Sequence, residues 1–340
     1  MMVLIGRIGG GEMLDRDSFV VRFWGVRGSY PTPGPSTVKY GGNTPCVEVQ
    51  VGGHTIILDS GTGIIPLGRS LIRRMRETGA PIEAVLLFSH LHHDHTQGFP
   101  FFGPAFIPST RLHLFGPDFL NSSPKMTLDM VMTPPYFPLR LAELNAWLSF
   151  ATLREPDLLV IGESVGGVAL GSASDPALQE DPDLVRVRVM RSYAHPNGVL
   201  HYRIDWHGKS MVYATDTEAY VNGDRRLAKF AQGTNLLVHD AQYTDEHYLG
   251  AAPGLPNTQG YGHSTISIAL EAARVSGAER LALFHLAPEY DDDQLDAIAA
   301  QVDAALPGTL VASEGLELEL FEPADRLELR QENALHAKSA

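Results

Sequence analysis

The segment Ser89-His90-Leu91-His92-His93-Asp94-His95-Thr96 constrains this chain more than any other. It puts four histidines and an aspartate into six positions, His90 to His95. With 14 histidines in 340 residues, six positions would hold about a quarter of one by chance. Clustering on that scale reads as a metal site. The run before it, Ala84-Val85-Leu86-Leu87-Phe88, is short, apolar and bounded by polar residues, which predicts a buried strand. The cluster therefore leaves a strand end into a loop. On extended chain, positions i and i+2 point the same way, so His90 and His92 can hold one metal. On a helix they would lie roughly 200° apart and could not. Asp94 and His95 follow after a bend and face a second metal. Imidazole and carboxylate ligands suit Zn²⁺, Mn²⁺ or Fe²⁺.

His90-x-His92-x-Asp94-His95 resembles the signature loop of the metallo-β-lactamase superfamily. A solvated polar loop is the ordinary alternative, but it leaves the coincidence of ligand spacing and strand context unexplained.

Composition sets outer limits. A length of 340 residues would ordinarily suggest about two domains. Lys+Arg is 26 against 40 Asp+Glu, a net charge of −14. That argues against broad binding to nucleic acid, whose phosphates need basic patches. The single cysteine, Cys46, excludes an internal disulfide and any Cys-rich zinc site. No apolar run approaches about 18 residues, so no membrane span is expected. Met1 to Ser18 lacks the pattern of a secretory signal, which makes a cytoplasmic protein the default. Residues 1–18, with Gly9-Gly10-Gly11, read as a loose extension, and 323–340 as a polar, frayed tail.

Between these ends the chain alternates strands and helices. Strands are expected at Phe19–Trp24, Cys46–Val51, Thr55–Leu58 and Arg111–Phe115, with Gly52-Gly53 as a hairpin turn. A helix is expected at 64–78 and another within 121–132. The second half repeats this logic. Strands are expected at Leu184–Tyr193, Val199–Asp205, Ser210–Ala214, 235–239, 280–285 and Leu316–Leu320, with helices at about 224–232, 264–277 and 291–305. Two sheet-rich halves with helices following strands predict an α/β fold of two facing sheets covered by helices. The superfamily has this αββα sandwich of mixed sheets, and the resemblance covers 19–322 as one hydrolase domain with an insertion at about 117–160. Within that insertion, Pro134-Pro135-Tyr136-Phe137-Pro138 and Trp147 are candidates for a lid that stacks a base, beside the plainer reading that they pack the insertion.

The resemblance implies further ligands, each after an expected strand: His195, Asp216 and His285. By it, His90, His92 and His195 hold one divalent ion, Asp94, His95 and His285 hold a second, and Asp216 bridges them. Zinc comes first, with manganese or iron as alternatives. Taken singly, a His or Asp at a strand end is more often a turn or capping group. His93 is expected to face solvent, and His54, His113, His201 and His207 read as turn or packing residues. Asp59 either braces the metal loop, as its counterpart does in the superfamily, or caps a helix before Gly61-Thr62-Gly63.

Two later segments select a branch. Leu236-Leu237-Val238-His239-Asp240-Ala241-Gln242 resembles the His-Glu-Ala-Thr segment of the ribonuclease Z family. Gly262-His263-Ser264-Thr265 resembles that family's His-Ser-Thr segment. The resemblance implies that His263 protonates a leaving oxygen and that Asp240 orients His263, with Asp94 able to accept a proton from water. Asp240 stands where glutamate is usual, one methylene shorter, which puts the contact in question. The plain alternative for Gly262–Thr265 is a helix N-terminus. Near the start, Phe23-Trp24-Gly25-Val26-Arg27-Gly28-Ser29 and Tyr40-Gly41-Gly42-Asn43-Thr44-Pro45 resemble phosphodiesterase-like members. Arg27, Asn43 and Thr44 there are candidates for touching substrate or are simply turn residues.

These readings converge on a dinuclear-metal-dependent phosphodiesterase acting on small cyclic or short nucleotide phosphodiesters. The acidic charge and the lack of a Gly/Pro-rich arm with clustered lysines set precursor tRNA second. A thioester or lactone hydrolase is a further alternative, and a non-catalytic scaffold or nucleic-acid-binding member stands outside the enzymes. No membrane partner is expected, and a homodimer is left open.

Overall fold

The computed structural model describes residues 2–6, 16–119, 122–219 and 223–321. Its strands form two sheets. The nine-stranded sheet runs Val3–Gly6, Gly167–Ser172, Asp157–Gly162, Val185–Ser192, Val199–Trp206, Lys209–Ala214, Leu236–Asp240, Leu281–Phe284, Thr309–Val311. The seven-stranded sheet runs Glu317–Glu319, Phe19–Gly25, Cys46–Val51, His54–Leu58, Glu83–Leu87, Arg111–Gly116, Trp147–Thr152. Both are mixed. The strands from His54–Leu58 to Trp147–Thr152 pair in parallel, and so do those from Lys209–Ala214 to Thr309–Val311. This is the expected αββα sandwich of the α/β class.

Side-chain alternation explains the layering. Ile56, Leu58, Val85 and Leu87 join one apolar cluster with Val187, Leu200, Tyr202 and Tyr213 of the opposite sheet. Their neighbours Ile57, Ala84 and Leu86 point the other way, into a cluster with Ile64, Leu67 and Leu71. Those three lie on the helix Ile64–Thr78, which covers the outer face. Burial on both faces is why these strands read as unbroken apolar runs. The helix ends at Gly79, whose φ of 75° is left-handed and costs glycine nothing. It returns the chain for the parallel strand Glu83–Leu87. Ile266–Ser276 makes the same crossover between Leu236–Asp240 and Leu281–Phe284. The outgoing ends of these strands therefore gather at one edge of the sandwich.

Several expectations need correction. Val3–Gly6, read as part of a loose extension, pairs antiparallel with Gly167–Ser172; residues 7–15, with the Gly9–Gly11 run, lie outside the described residues, as does the tail 322–340. Within the segment 117–160, read as an insertion, Trp147–Thr152 and Asp157–Gly162 are sheet strands. Trp147 begins its strand opposite Arg111, at the incoming edge, and sits edge-on to His113 with ring centroids 5.2 Å apart. The parallel register thus puts it far from the outgoing edge, and it cannot belong to a lid there. Phe137 meets Phe101 edge-on instead. No helix among the described residues is long and apolar enough to cross a membrane.

Candidate metal centre and active site

The outgoing edge collects the ligand candidates. His90 Nε2, His92 Nδ1 and His195 Nε2 converge, with His92 Nδ1 2.9 Å from His195 Nε2. Beside them, Asp94, His95, Asp216 and His285 form a second buried group. His95 Nε2 lies 3.4 Å from Asp94 Oδ2 and 3.3 Å from His285 Nε2. Asp216 stands between the two groups. Its Oδ1 is 3.2 Å from His95 Nε2 and 3.4 Å from His285 Nε2, while its Oδ2 is 3.5 Å from His90 Nε2 and 3.8 Å from His195 Nε2. All seven candidates from the sequence are thus brought together. His93 turns to solvent as expected.

The donor set fits divalent cations. His90 Nε2 is buried and has no hydrogen-bond partner among the described residues. Outer partners aim the inner nitrogens: His95 Nδ1 donates to Asp59 Oδ2 at 2.8 Å, and His195 Nδ1 donates to the Gly262 carbonyl at 2.9 Å. Each leaves an Nε2 lone pair facing inward, the arrangement in which a ligating imidazole is oriented by its second nitrogen. Asp59 does not cap the helix, whose N-cap is Gly63. It is a brace, accepting also from Ser89 N and Oγ, each at 2.7 Å, and from the Tyr213 hydroxyl at 2.9 Å.

A third group adjoins both. His263 Nδ1 donates to Asp240 Oδ2 at 2.9 Å, so the shorter acid makes the contact. Asp240 is itself held by Thr217 N at 3.0 Å and Gln242 N at 3.1 Å. The His263 ring stacks on His285, centroids 4.9 Å apart. The helix-start reading of this segment holds as well, since Thr265 accepts from Ile268 N as N-cap.

A family model described as the β-lactamase superfamily domain matches residues 54–286. The chain belongs to that superfamily. It is 26% identical to a ribonuclease Z of Gemmatimonas aurantiaca over 331 residues, 88% of this chain and 96% of that protein. Zn²⁺-bound PqqB of Methylobacterium extorquens has the same fold (TM-score 0.59, 14% identity, 88% of this chain and 99% of that one). So does a diphosphatase of the PhnP family (TM-score 0.56, 16% identity, 89% and 98%). The chain is a metal-dependent hydrolase of the β-lactamase superfamily, and the superfamily fold implies divalent metal ions.

The superfamily site is supported by residues that the sequence reading passed over or misplaced. Ser29 N donates to Asp94 Oδ2 at 2.9 Å. Gly28 presses on His285, where an added Cβ would lie 2.5 Å from the ring. Arg27 is fully buried and donates to the carbonyls of Gly41, Ala287 and Tyr290 at 2.8, 3.1 and 2.6 Å. It therefore ties loops behind the site and cannot touch substrate. Asn43 donates to Glu314, and Thr44 accepts from Thr62 N. Glu218 accepts from Gly260 N and Gly262 N, each at 2.8 Å, and so fixes the loop that carries His263. Among the described residues, five of the six non-glycine positions with positive φ belong to this region: Ser29 at 63°, Asp59 at 61°, Asn197 at 68°, Asp216 at 49° and His285 at 60°. Such backbone costs roughly 1–3 kcal/mol per residue and collects where function holds it.

The electrostatics keep three imidazoles neutral. Burial lowers His90 and His92, and brings His195 to about 4, against the opposing pull of Asp216. His95 goes the other way: burial lowers it, but Asp216, Asp94 and Asp59 together outweigh that and raise it. The ordinary histidine value is 6.5. The stability that neutral His195 lends the metal-free protein is complete above 6.5 and is lost as pH falls through about 4. Ring NMR of the metal-free protein should show His195 titrating near 4. A midpoint between 6 and 7 would contradict its buried, neutral setting.

Proposed function

We propose that this chain hydrolyses phosphodiesters, and that its substrates are small: cyclic nucleotides, ribose cyclic phosphates or short dinucleotides. The observation that carries the reading is His263, hydrogen-bonded to buried Asp240 at 2.9 Å beside both ligand groups. A thioester's thiolate leaves without such a proton donor, whereas the alkoxide of a phosphodiester needs one. On this reading His90, His92 and His195 hold one cation, Asp94, His95 and His285 hold the other, and Asp216 joins them, with zinc first among the candidates. When bound, the cations supply charge against the phosphoryl oxygens and make a nucleophile available at neutral pH.

The chain's own groups do the rest. Asp94 Oδ2 accepts from Ser29 N and faces the cluster, placed to take a proton from the attacking water. His263 gives a proton to the departing alkoxide through Nε2, its Nδ1 being committed to Asp240. Asp240 fixes that tautomer and steadies the imidazolium between turnovers. His263 is charged more readily than an ordinary histidine: burial opposes this, but Asp240 and Asp216 outweigh it.

A second reading, tRNA 3′ processing, is favoured by the ribonuclease Z relative that matches 88% of this chain. Against it stands the net charge of −14, where a tRNA surface needs lysine and arginine and shows steep salt dependence. The two separate in direct competition at physiological salt between a precursor tRNA and a panel of cyclic mono- and dinucleotides. The small esters should have the higher kcat/KM. Cleavage of the tRNA at its 3′ end with the higher kcat/KM would install the ribonuclease Z reading instead.

A further inference from the structure

A cleft of about 1040 Å³ opens directly beside the ligand candidates, with His195 and Gly262 at its inner end. That is the scale of a cleft built for a small organic ligand. One wall is formed by Phe119, Arg191 and Tyr193. The Arg191 guanidinium carbon lies 4.3 Å from the Phe119 ring centroid and 4.8 Å from that of Tyr193. A guanidinium over two aromatic faces is a cation–π arrangement that fixes both rings. Its Nε is buried with no hydrogen-bond partner among the described residues, so these rings are what hold the side chain there. Tyr193 is nevertheless 69% exposed. A large aromatic ring thus has a guanidinium packed against it while most of its surface stays open to the cleft and solvent.

We propose that Tyr193, steadied by Arg191 and Phe119, is the stacking platform for the base of a nucleoside phosphodiester. The inference rests on the phosphodiester reading and narrows its substrate to nucleotides. Position supports it. Tyr193 stands two residues before His195, a span of at most about 7 Å on extended chain, comparable with the length of a ribose. A phosphate at the ligand cluster would leave its nucleoside pointing into this cleft. Chemistry supports it too. Stacking needs an open π face whose ordering has been arranged beforehand, so little freedom is lost when the base arrives. Of the two carboxylates that line the cleft, Glu218 is already engaged by Gly260 N and Gly262 N, and Glu271 Oε2 lies 3.9 Å from Arg274 Nη1. Stacking on a single ring accepts any base, so the site would choose nucleotides over simple esters without choosing among nucleotides.

The test compares two esters with one leaving group: thymidine 5′-(p-nitrophenyl phosphate) and methyl p-nitrophenyl phosphate. The wild-type protein, loaded with zinc, should prefer the thymidine ester. In Tyr193→Ala that preference, as a ratio of kcat/KM, should fall about tenfold, mostly through KM, the usual worth of one stacked base. Tyr193→Phe should restore it, because the ring and not the hydroxyl stacks. Calorimetry with thymidine 5′-monophosphate and with inorganic phosphate gives an arm free of turnover: Tyr193→Ala should weaken the nucleotide about tenfold relative to phosphate. If neither ester is cleaved but the nucleotide still binds through Tyr193, the phosphodiesterase reading fails and the platform stands. Equal losses on both esters, or a nucleotide affinity indifferent to Tyr193→Ala, would overturn the platform, whatever becomes of the catalytic reading.

Discussion

Asp216→Asn should cost the protein metal and about 10³-fold or more in kcat. Asp216 offers one oxygen to each ligand group, 3.2 Å from His95 Nε2 and 3.5 Å from His90 Nε2. Metal charge is worth several kcal/mol against a phosphoryl transition state, and each 1.36 kcal/mol is tenfold in rate. Asparagine keeps the volume and tolerates the left-handed backbone that Asp216 adopts at φ 49°, so the change removes charge without forcing the chain to move. Elemental analysis of mildly purified protein should give two equivalents for the wild type and one or fewer for the variant. A variant with full metal content and wild-type turnover would remove Asp216 from the bridging position.

His263→Ala separates the proton donor from the ligands. It should keep both metals and slow hydrolysis of alkyl phosphodiesters by about 10²-fold or more, the usual contribution of a positioned general acid. The loss should shrink with p-nitrophenyl esters, whose leaving group departs without a proton. His263 lies 4.0 Å from Asp216 Oδ2 and donates to Asp240 rather than to the ligand cluster, which is why metal content should survive. Equal losses on good and poor leaving groups would reject the assignment.

His90, His92, Asp94 and His95 could be read because their meaning is local: spacing along a strand end dictates direction. His195, Asp216, His285 and the Asp240–His263 pair came from family resemblance, and all of these but His263 sit where a strand leaves the sheet. What supports them was hidden, because Ser29 reaches Asp94 across 65 residues and Tyr213 reaches Asp59 across 154. Tertiary approach alone creates such contacts. Gly167–Ser172 was missed for a related reason: its sequence, GVALGS, has weak strand preference, and pairing with both neighbours decides its conformation. Trp147 drops out of the expected lid because register, which sequence does not display, puts it at the other end of the sheet.

The centre is closed by residues that meet late. His95 and His285 lie 3.3 Å apart in space and 190 residues apart in the chain, one from each sheet. Bringing such distant points together is an entropic burden that any ion held between them helps to offset. A cation that binds only the finished centre stabilises it by mass action, by about 4 kcal/mol at a thousandfold excess over its Kd. Metal uptake is then a checkpoint on assembly: a chain still growing on the ribosome, with strand Leu281–Phe284 not yet made, lacks His285 and cannot complete the second ligand group.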